Sequence, residues 1–257
     1  MSRLVYITGA SSGIGQALAL QYARAGWRLA LVARRTTELQ NWAQAQGLRP
    51  ENCAIYGADV CDLDAITGAG RACIAAQGLP DAVIANAGIS IGIDSAIFED
   101  LAVMQRVYAT NNLGLAATFQ PFIAAMRARG SGALVGIASV AGIRGLPGHA
   151  AYCSSKAATI SYCESLRGEC RPFGVKVVTI APGYIDTPLT RENRYSMPFL
   201  MPADAFAERA YAAIEAGSSF RVIPWQMGWV ARLLRLLPNA WFDRLLAGRP
   251  RKHRQGE

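Results

Sequence analysis

The stretch Thr8-Gly9-Ala10-Ser11-Ser12-Gly13-Ile14-Gly15 constrains this chain more than any other. It follows the apolar run Leu4-Val5-Tyr6-Ile7 and precedes an apolar-periodic segment that reaches about Ala25, with Gly26 as its stop. An uninterrupted apolar run bounded by turn residues reads as a buried strand, and the periodic segment as a helix. The glycines between them permit a tight turn, let the backbone approach a phosphate, and let the helix pack closely on the strand. A helix opening there presents free N–H groups and a positive dipole end to that phosphate.

The same alternation continues to residue 223. Strands are expected at 28–33, 53–56, 82–85, 133–137, 176–180 and 220–223. Helices are expected at 36–46, 63–76, 100–129, through Tyr152 to about 171, and from 203 to 216. Strand–helix alternation without repeats or linkers predicts one α/β unit, a doubly wound parallel seven-stranded sheet with helices on both faces. Its expected organisation is a catalytic part over residues 1–225 and a C-terminal helical extension with a basic tail over 226–257, in one structural unit. Asn111 and Asn112 are out of place in an apolar helical stretch, because short amides compete for backbone hydrogen bonds.

Chemistry-bearing residues gather at the expected strand ends, where an open parallel sheet binds ligands. The second strand ends in Ala33-Arg34-Arg35. An acidic residue there would hold the ribose 2′-hydroxyl of NAD, whereas a guanidinium fork matches a 2′-phosphate. NADP(H) is therefore favoured over NAD(H), with Arg34 ahead of Arg35. Further on come Asp59-Val60, Asn86-Ala87-Gly88, Ser139, and the run from Ala181 to Thr187. Tyr152 and Lys156 stand four apart, on one face of a helix. A cation beside a phenol favours phenolate and lowers its pKa from about 10 toward the range useful for proton exchange.

Over about residues 3–225 the chain resembles the short-chain dehydrogenase/reductase family. Residues 8–15 fit TGxxxGxG, Asn86-Ala87-Gly88 fits NAG, and Asn111 leads NxxG; Ser139 lies thirteen residues before Tyr152, followed by YxxxK and Pro182-Gly183. The resemblance implies a Rossmann-type fold and a catalytic set of Asn111, Ser139, Tyr152 and Lys156. In that set Ser139 would hold the substrate oxygen, and Tyr152 would act as general acid in reduction or base in oxidation. Lys156 would depress the tyrosine pKa and bind the nicotinamide ribose, while the Asn111 main-chain carbonyl would hold a relay water. Cofactor contacts are implied for Gly9, Ser11, Ser12, Gly13, Ile14, Gly15, Arg34 and Arg35 at the phosphate and adenosine-ribose end. Asp59 and Val60 would meet adenine, and Asn86 the adjoining ribose, with Ala87 and Gly88 beside it. Ile185 and Thr187 would meet carboxamide and pyrophosphate, next to Pro182 and Gly183. Ser12 is not basic, so the NADP preference rests on the two arginines.

The implied activity is NADP-dependent hydride transfer between nicotinamide and a small-molecule ketone or secondary alcohol, apolar or lipid-like, by a homodimer or homotetramer. The alternatives are a catalytically silent NADP-binding regulator or a membrane-surface interaction protein on the same fold; neither uses the full catalytic set. The net charge of +8 comes without a nucleic-acid-reading module, so no nucleic acid is expected. Six cysteines without a CxxC pair or histidine cluster suggest reduced thiols and no metal, hence a cytoplasmic setting. His149 is read as a loop hydrogen-bonder, and Leu189, Tyr195, Met197, Phe199, Leu200 and Met201 as an apolar lid. Past residue 225, Val230, Leu233, Leu234 and Leu237 lie opposite Arg232 and Arg235, and Pro238 divides them from a second apolar set at Trp241, Phe242, Leu245 and Leu246. These helices are expected to pack on the domain or on a second subunit. The alternative is peripheral contact with the inner face of a membrane, helped by Arg249, Arg251, Lys252 and Arg254.

Overall fold

The computed structural model describes residues 2–191, 193, 196–248, 252 and 254. Tyr195, Arg249 and Arg251 lie outside the described residues. The first half alternates β1 (Leu4–Thr8), α1 (Gly13–Arg24), β2 (Arg28–Ala33), α2 (Thr36–Ala45), β3 (Cys53–Gly57), α3 (Leu63–Gln77) and β4 (Ala82–Ala85). Then follow α4 (Asp100–Tyr108), α5 (Gly114–Arg129), β5 (Ala133–Ile137), α6 (Ala150–Cys170) and β6 (Lys176–Pro182). The chain ends with β7 (Ile185–Asp186), α7 (Pro188–Arg191), β8 (Met201–Pro202), α8 (Ala203–Glu215), β9 (Phe220–Ile223), α9 (Trp225–Leu236) and α10 (Asn239–Leu246).

Seven strands form one sheet in the order β3-β2-β1-β4-β5-β6-β9, every pair parallel. Alternate side chains of each strand enter different cores, as a two-residue period requires. Val5 and Ile7 join Leu18 and Tyr22 of α1 and Phe206 and Ala210 of α8 on one face. Leu4 and Tyr6 join Ile66 of α3, Phe119 and Phe122 of α5 and Leu166 of α6 on the other. The expected doubly wound, Rossmann-type sheet is therefore the observed one. Strand order reverses between β1 and β4, opening the crevice at their C-terminal ends.

Two elements differ from expectation. Residues 100–129 are not one continuous helix: a π-helical turn, Ala109–Leu113, separates α4 from α5 and contains both asparagines. The widened turn accommodates the amides whose presence in a regular helix was anomalous. The parallel β7–β8 pair, Ile185 with Met201 and Asp186 with Pro202, was not anticipated from the sequence. Two-residue strands carry too little pattern to stand out, and this pair ties the start of the expected lid to its end.

The C-terminal helices pack on the domain; α10 does so through Phe242 of its expected set, whereas α9 buries Met227 and Ala231 and leaves Val230, Leu234 and Leu237 half-buried. Leu233 and Trp241 face outward. Arg144, in the loop before α6, donates to the Leu234 and Leu237 carbonyls and lies over the Phe242 ring at 3.8 Å. Among the described residues no helix is long and apolar enough to cross a membrane.

Candidate active site

The glycine loop is shaped by close approaches. Gly9 has φ of 65°, and a Cβ there would lie 2.8 Å from Ala87 Cα. A Cβ on Gly15 would lie 2.2 Å from the Gly9 carbonyl oxygen, so only hydrogen lets α1 start against β1. Ser12 is the N-cap of α1 yet its hydroxyl makes no capping hydrogen bond, leaving the first N–H groups of the helix without a side-chain partner. Thr187, buried, lies against Gly13 from the β7 side. These features fit a dinucleotide phosphate held by Gly13, Ile14 and Ser12.

Asn86, expected at the cofactor ribose, is held by the end of β1 and the glycine loop. Its Nδ2 donates to the Thr8 and Gly9 carbonyls at 3.0 and 3.2 Å, and its N–H donates to Thr8 Oγ1. The amide thus clamps the end of β4 to the glycine loop. At the end of β2 the two arginines part company. Arg35 pairs with Glu38 on α2 at 2.9 Å, whereas the Arg34 side chain is 72% exposed and only 3.7 Å from Asp59. Asp59 also accepts from Cys61 N–H, and Val60 packs its carbonyl against Gly114, where a Cβ would stand 2.8 Å away. The glycine of the NxxG stretch is therefore needed for α5 to approach β3's end.

The four expected catalytic residues converge. Ser139, at the end of β5, caps the turn Val140–Gly142 by accepting from Ala141 N–H at 3.1 Å. Its hydroxyl lies beside the Tyr152 phenol of α6, close enough to favour the phenolate. Lys156, one turn on, is 5% exposed; its Nζ donates to the Ile137 carbonyl at 2.9 Å and lies 5.9 Å from the Tyr152 ring centroid. Asn111 is buried, with Oδ1 accepting from Ile89 N–H and Nδ2 donating to Ile89 O and Ser155 Oγ. Its own carbonyl accepts from Thr159 Oγ1 at 3.3 Å. Gly88 threads between the two, since a Cβ on it would lie 3.2 Å from Asn111 Oδ1 and 3.4 Å from Lys156 Nζ. Ser155 and Thr159, on the same helix face, were not singled out from the sequence; their i+3 and i+7 spacing from Tyr152 was the available signal.

The electrostatics correct one expectation. Burial pushes the Tyr152 phenol above its usual value, partly offset by the Ser139 hydroxyl. Burial likewise lowers Lys156 to about 8. Packing takes water from both charged forms, and the ammonium is turned toward the Ile137 carbonyl, so the tyrosine is not depressed. At neutral pH the phenol is protonated, the form an acid needs. His149 is buried, has its Nδ1 3.2 Å from the Pro147 carbonyl oxygen, and is shifted down by burial. After β6, Gly183 N–H donates to Ile223 O at 2.8 Å, and Pro182 and Ile185 are buried beside it.

Residues 3–197 match the family model for short chain dehydrogenase. An oxidoreductase of Myxococcus xanthus is 40% identical over 244 residues, covering 94% of this chain and 95% of the relative. Dehydrogenase/reductase SDR family member 7B of Bos taurus is 32% identical, covering 99% of this chain and 83% of that one. A short chain dehydrogenase from Burkholderia cenocepacia, solved in complex with NADP, superposes with a TM-score of 0.82 at 23% identity, over 96% of this chain and 98% of its own. With its parallel sheet, glycine loop and convergent Ser139–Tyr152–Lys156 cluster, this chain belongs to the short-chain dehydrogenase family, as an NAD(P)-dependent oxidoreductase acting on CH–OH and C=O groups.

Proposed function

We propose that this protein reduces a ketone, or oxidises the matching secondary alcohol, with NADP(H), and that Tyr152 exchanges the proton. The observation that carries this reading is the half-buried Tyr152 phenol beside Ser139, one helical turn from buried Lys156. Nicotinamide supplies or accepts the hydride when bound. Ser139 and Tyr152 together hold the substrate oxygen, and developing negative charge on it is stabilised by two hydroxyl donors. Tyr152 gives up its proton as the alcohol forms. Lys156 stands in line behind it, and Asn111 fixes the π turn and the Ile89 loop against α6.

The NADP preference rests on Arg34, which is exposed at the end of β2 while Arg35 is engaged by Glu38. The fold carries NADP in the Burkholderia cenocepacia relative. An apolar or lipid-like substrate is supported by Leu189, Phe199 and Leu200, which stay exposed around the β7–β8 segment. Exposed Leu101 and Leu113 support association through the helices of residues 100–129. In this reading residues 1–225 are the catalytic part, residues 226–257 an extension of the same unit with peripheral membrane contact, and the six free thiols belong to a cytoplasmic protein.

Tyr152→Phe is the test. NADPH binding, followed by nicotinamide fluorescence, is expected to persist while ketone-dependent NADPH oxidation falls by about 10²–10⁴-fold. Undiminished turnover in that variant refutes Tyr152 as the acid.

A further inference from the structure

Helix α9 is apolar on two sides. One side is buried against the domain through Met227 and Ala231. The other presents Trp225, Trp229, Leu233 and Leu236 at intervals of four, four and three, which is a single stripe along the helix. Their exposures of 63%, 58%, 60% and 81% leave the stripe uncovered, and Trp241 and Leu245 of α10 are likewise exposed. Three of the chain's five tryptophans are thus in water on one short segment. Contiguous apolar surface of this kind marks a contact site, and tryptophan suits one that is half wet.

Charge selects the occupant. Residues 225–257 hold seven Lys/Arg and two Asp/Glu, a net +5 of the chain's +8, although Arg254, expected to help membrane contact, is neutralised by Asp100. Arg232, Arg235 and Arg244 are exposed beside the stripe, and Asp243 is the one acidic side chain among the described residues of this segment. Two copies pairing by this face would bring arginines against arginines. An anionic lipid surface satisfies both halves at once, taking the indoles and leucines at its headgroup boundary and the guanidiniums on its phosphates.

The segment is also clamped to the reaction side of the domain. Arg144, between Ser139 and Tyr152 in sequence, holds Leu234, Leu237 and Asn239. At the tail, Arg254 forms a fork on buried Asp100 at 2.8 and 3.0 Å and pairs its backbone with Gly92. Both clamped loops follow sheet strands at their C-terminal ends, β5 and β4, where substrate reaches Tyr152. We propose that the α9–α10 face docks on anionic membrane and turns the substrate entrance toward it, so that the substrate is a carbonyl compound drawn from the bilayer. This deepens the proposed apolar-substrate reading and rests on it for the substrate, though not for the docking.

The experiment is flotation of the full chain with phosphatidylcholine vesicles, with and without phosphatidylglycerol, alongside turnover of a short soluble ketone. The wild type is expected to float with the anionic vesicles only, and less so as salt rises. Trp229→Ser with Leu233→Ser should lose flotation yet keep soluble-ketone turnover and its unfolding temperature. Arg232→Glu with Arg235→Glu should weaken partition at least about tenfold. Absence of wild-type flotation, or equal flotation of both double variants, overturns the proposal. So does a wild-type oligomer that the Trp229/Leu233 variant breaks without any vesicle binding, because the face then joins copies of the chain. Flotation without turnover of any ketone would sink the reductase reading and leave the docking intact.

Discussion

Replacing Lys156 by Met isolates the cost of burying an ammonium beneath the active site. Burial lowers the Lys156 pKa from 10.5 to about 8. At about 1.36 kcal/mol per pKa unit, the protonated form in the folded protein is held about 3 kcal/mol above its reference in the unfolded chain. Between the two values the unfolded chain binds more protons than the folded one, so Lys156 makes stability rise with pH across this window. Its contribution is complete above about pH 10.5 and is lost as pH falls through about 8. Methionine keeps length and packing but cannot titrate. It also leaves the Ile137 carbonyl without its donor, a pH-independent loss of about 1–3 kcal/mol. The absolute difference between the proteins mixes these effects, whereas its slope with pH reports the ammonium alone. Urea unfolding of both proteins at several pH values from about 7.5 to 10 measures that slope. Wild type should gain on the variant by close to 1.4 kcal/mol per pH unit near the middle of the window. Cys163, pushed up to about 11 by burial, adds its own pH dependence above about pH 9, but both proteins carry it and it largely cancels in the difference. A difference that stays flat with pH refutes the buried, desolvated lysine.

Two other substitutions probe cofactor choice and packing. Arg34→Asp should lower kcat/KM for NADPH relative to NADH by about 10–100-fold, the worth of a charge-assisted phosphate contact; an unchanged ratio removes Arg34 from the 2′-phosphate. Gly114→Ala drives a Cβ to 2.8 Å from the Val60 carbonyl oxygen and should cost about 1–3 kcal/mol in urea unfolding. A variant as stable as the wild type would show that α5 does not press on residue 60.

Much of the site could be read from the chain because its signals are local. Thr8 to Gly15 contains its own turn geometry, and Tyr152 and Lys156 are bound to share a helix face. The strands at residues 28–33, 82–85, 133–137 and 220–223 coincide with the observed ones. Each is a short apolar or β-prone run closed by small residues, which leaves little freedom in its ends. The asparagine pair at 111–112 signalled an irregularity, yet its form as a π turn depends on the Ile89 backbone and Ser155, distant in sequence.

Tertiary structure decided what sequence spacing leaves degenerate. Helix α9 has leucines and tryptophans on more than one side, so periodicity alone could not say that Met227 and Ala231 turn inward while Leu233 turns out. Arg144 under α9 and Arg254 on Asp100 join residues 90 and 154 or more positions apart, with no spacing rule to announce them. The direction of the Tyr152 shift belongs here too. A lysine four residues away argues for a lower pKa, but desolvation of the phenol raises it, and the ammonium, turned toward the Ile137 carbonyl, does not offset that. Local sequence determines which groups meet; the loss of water around them, which only the packed fold creates, determines the protonation state in which they meet.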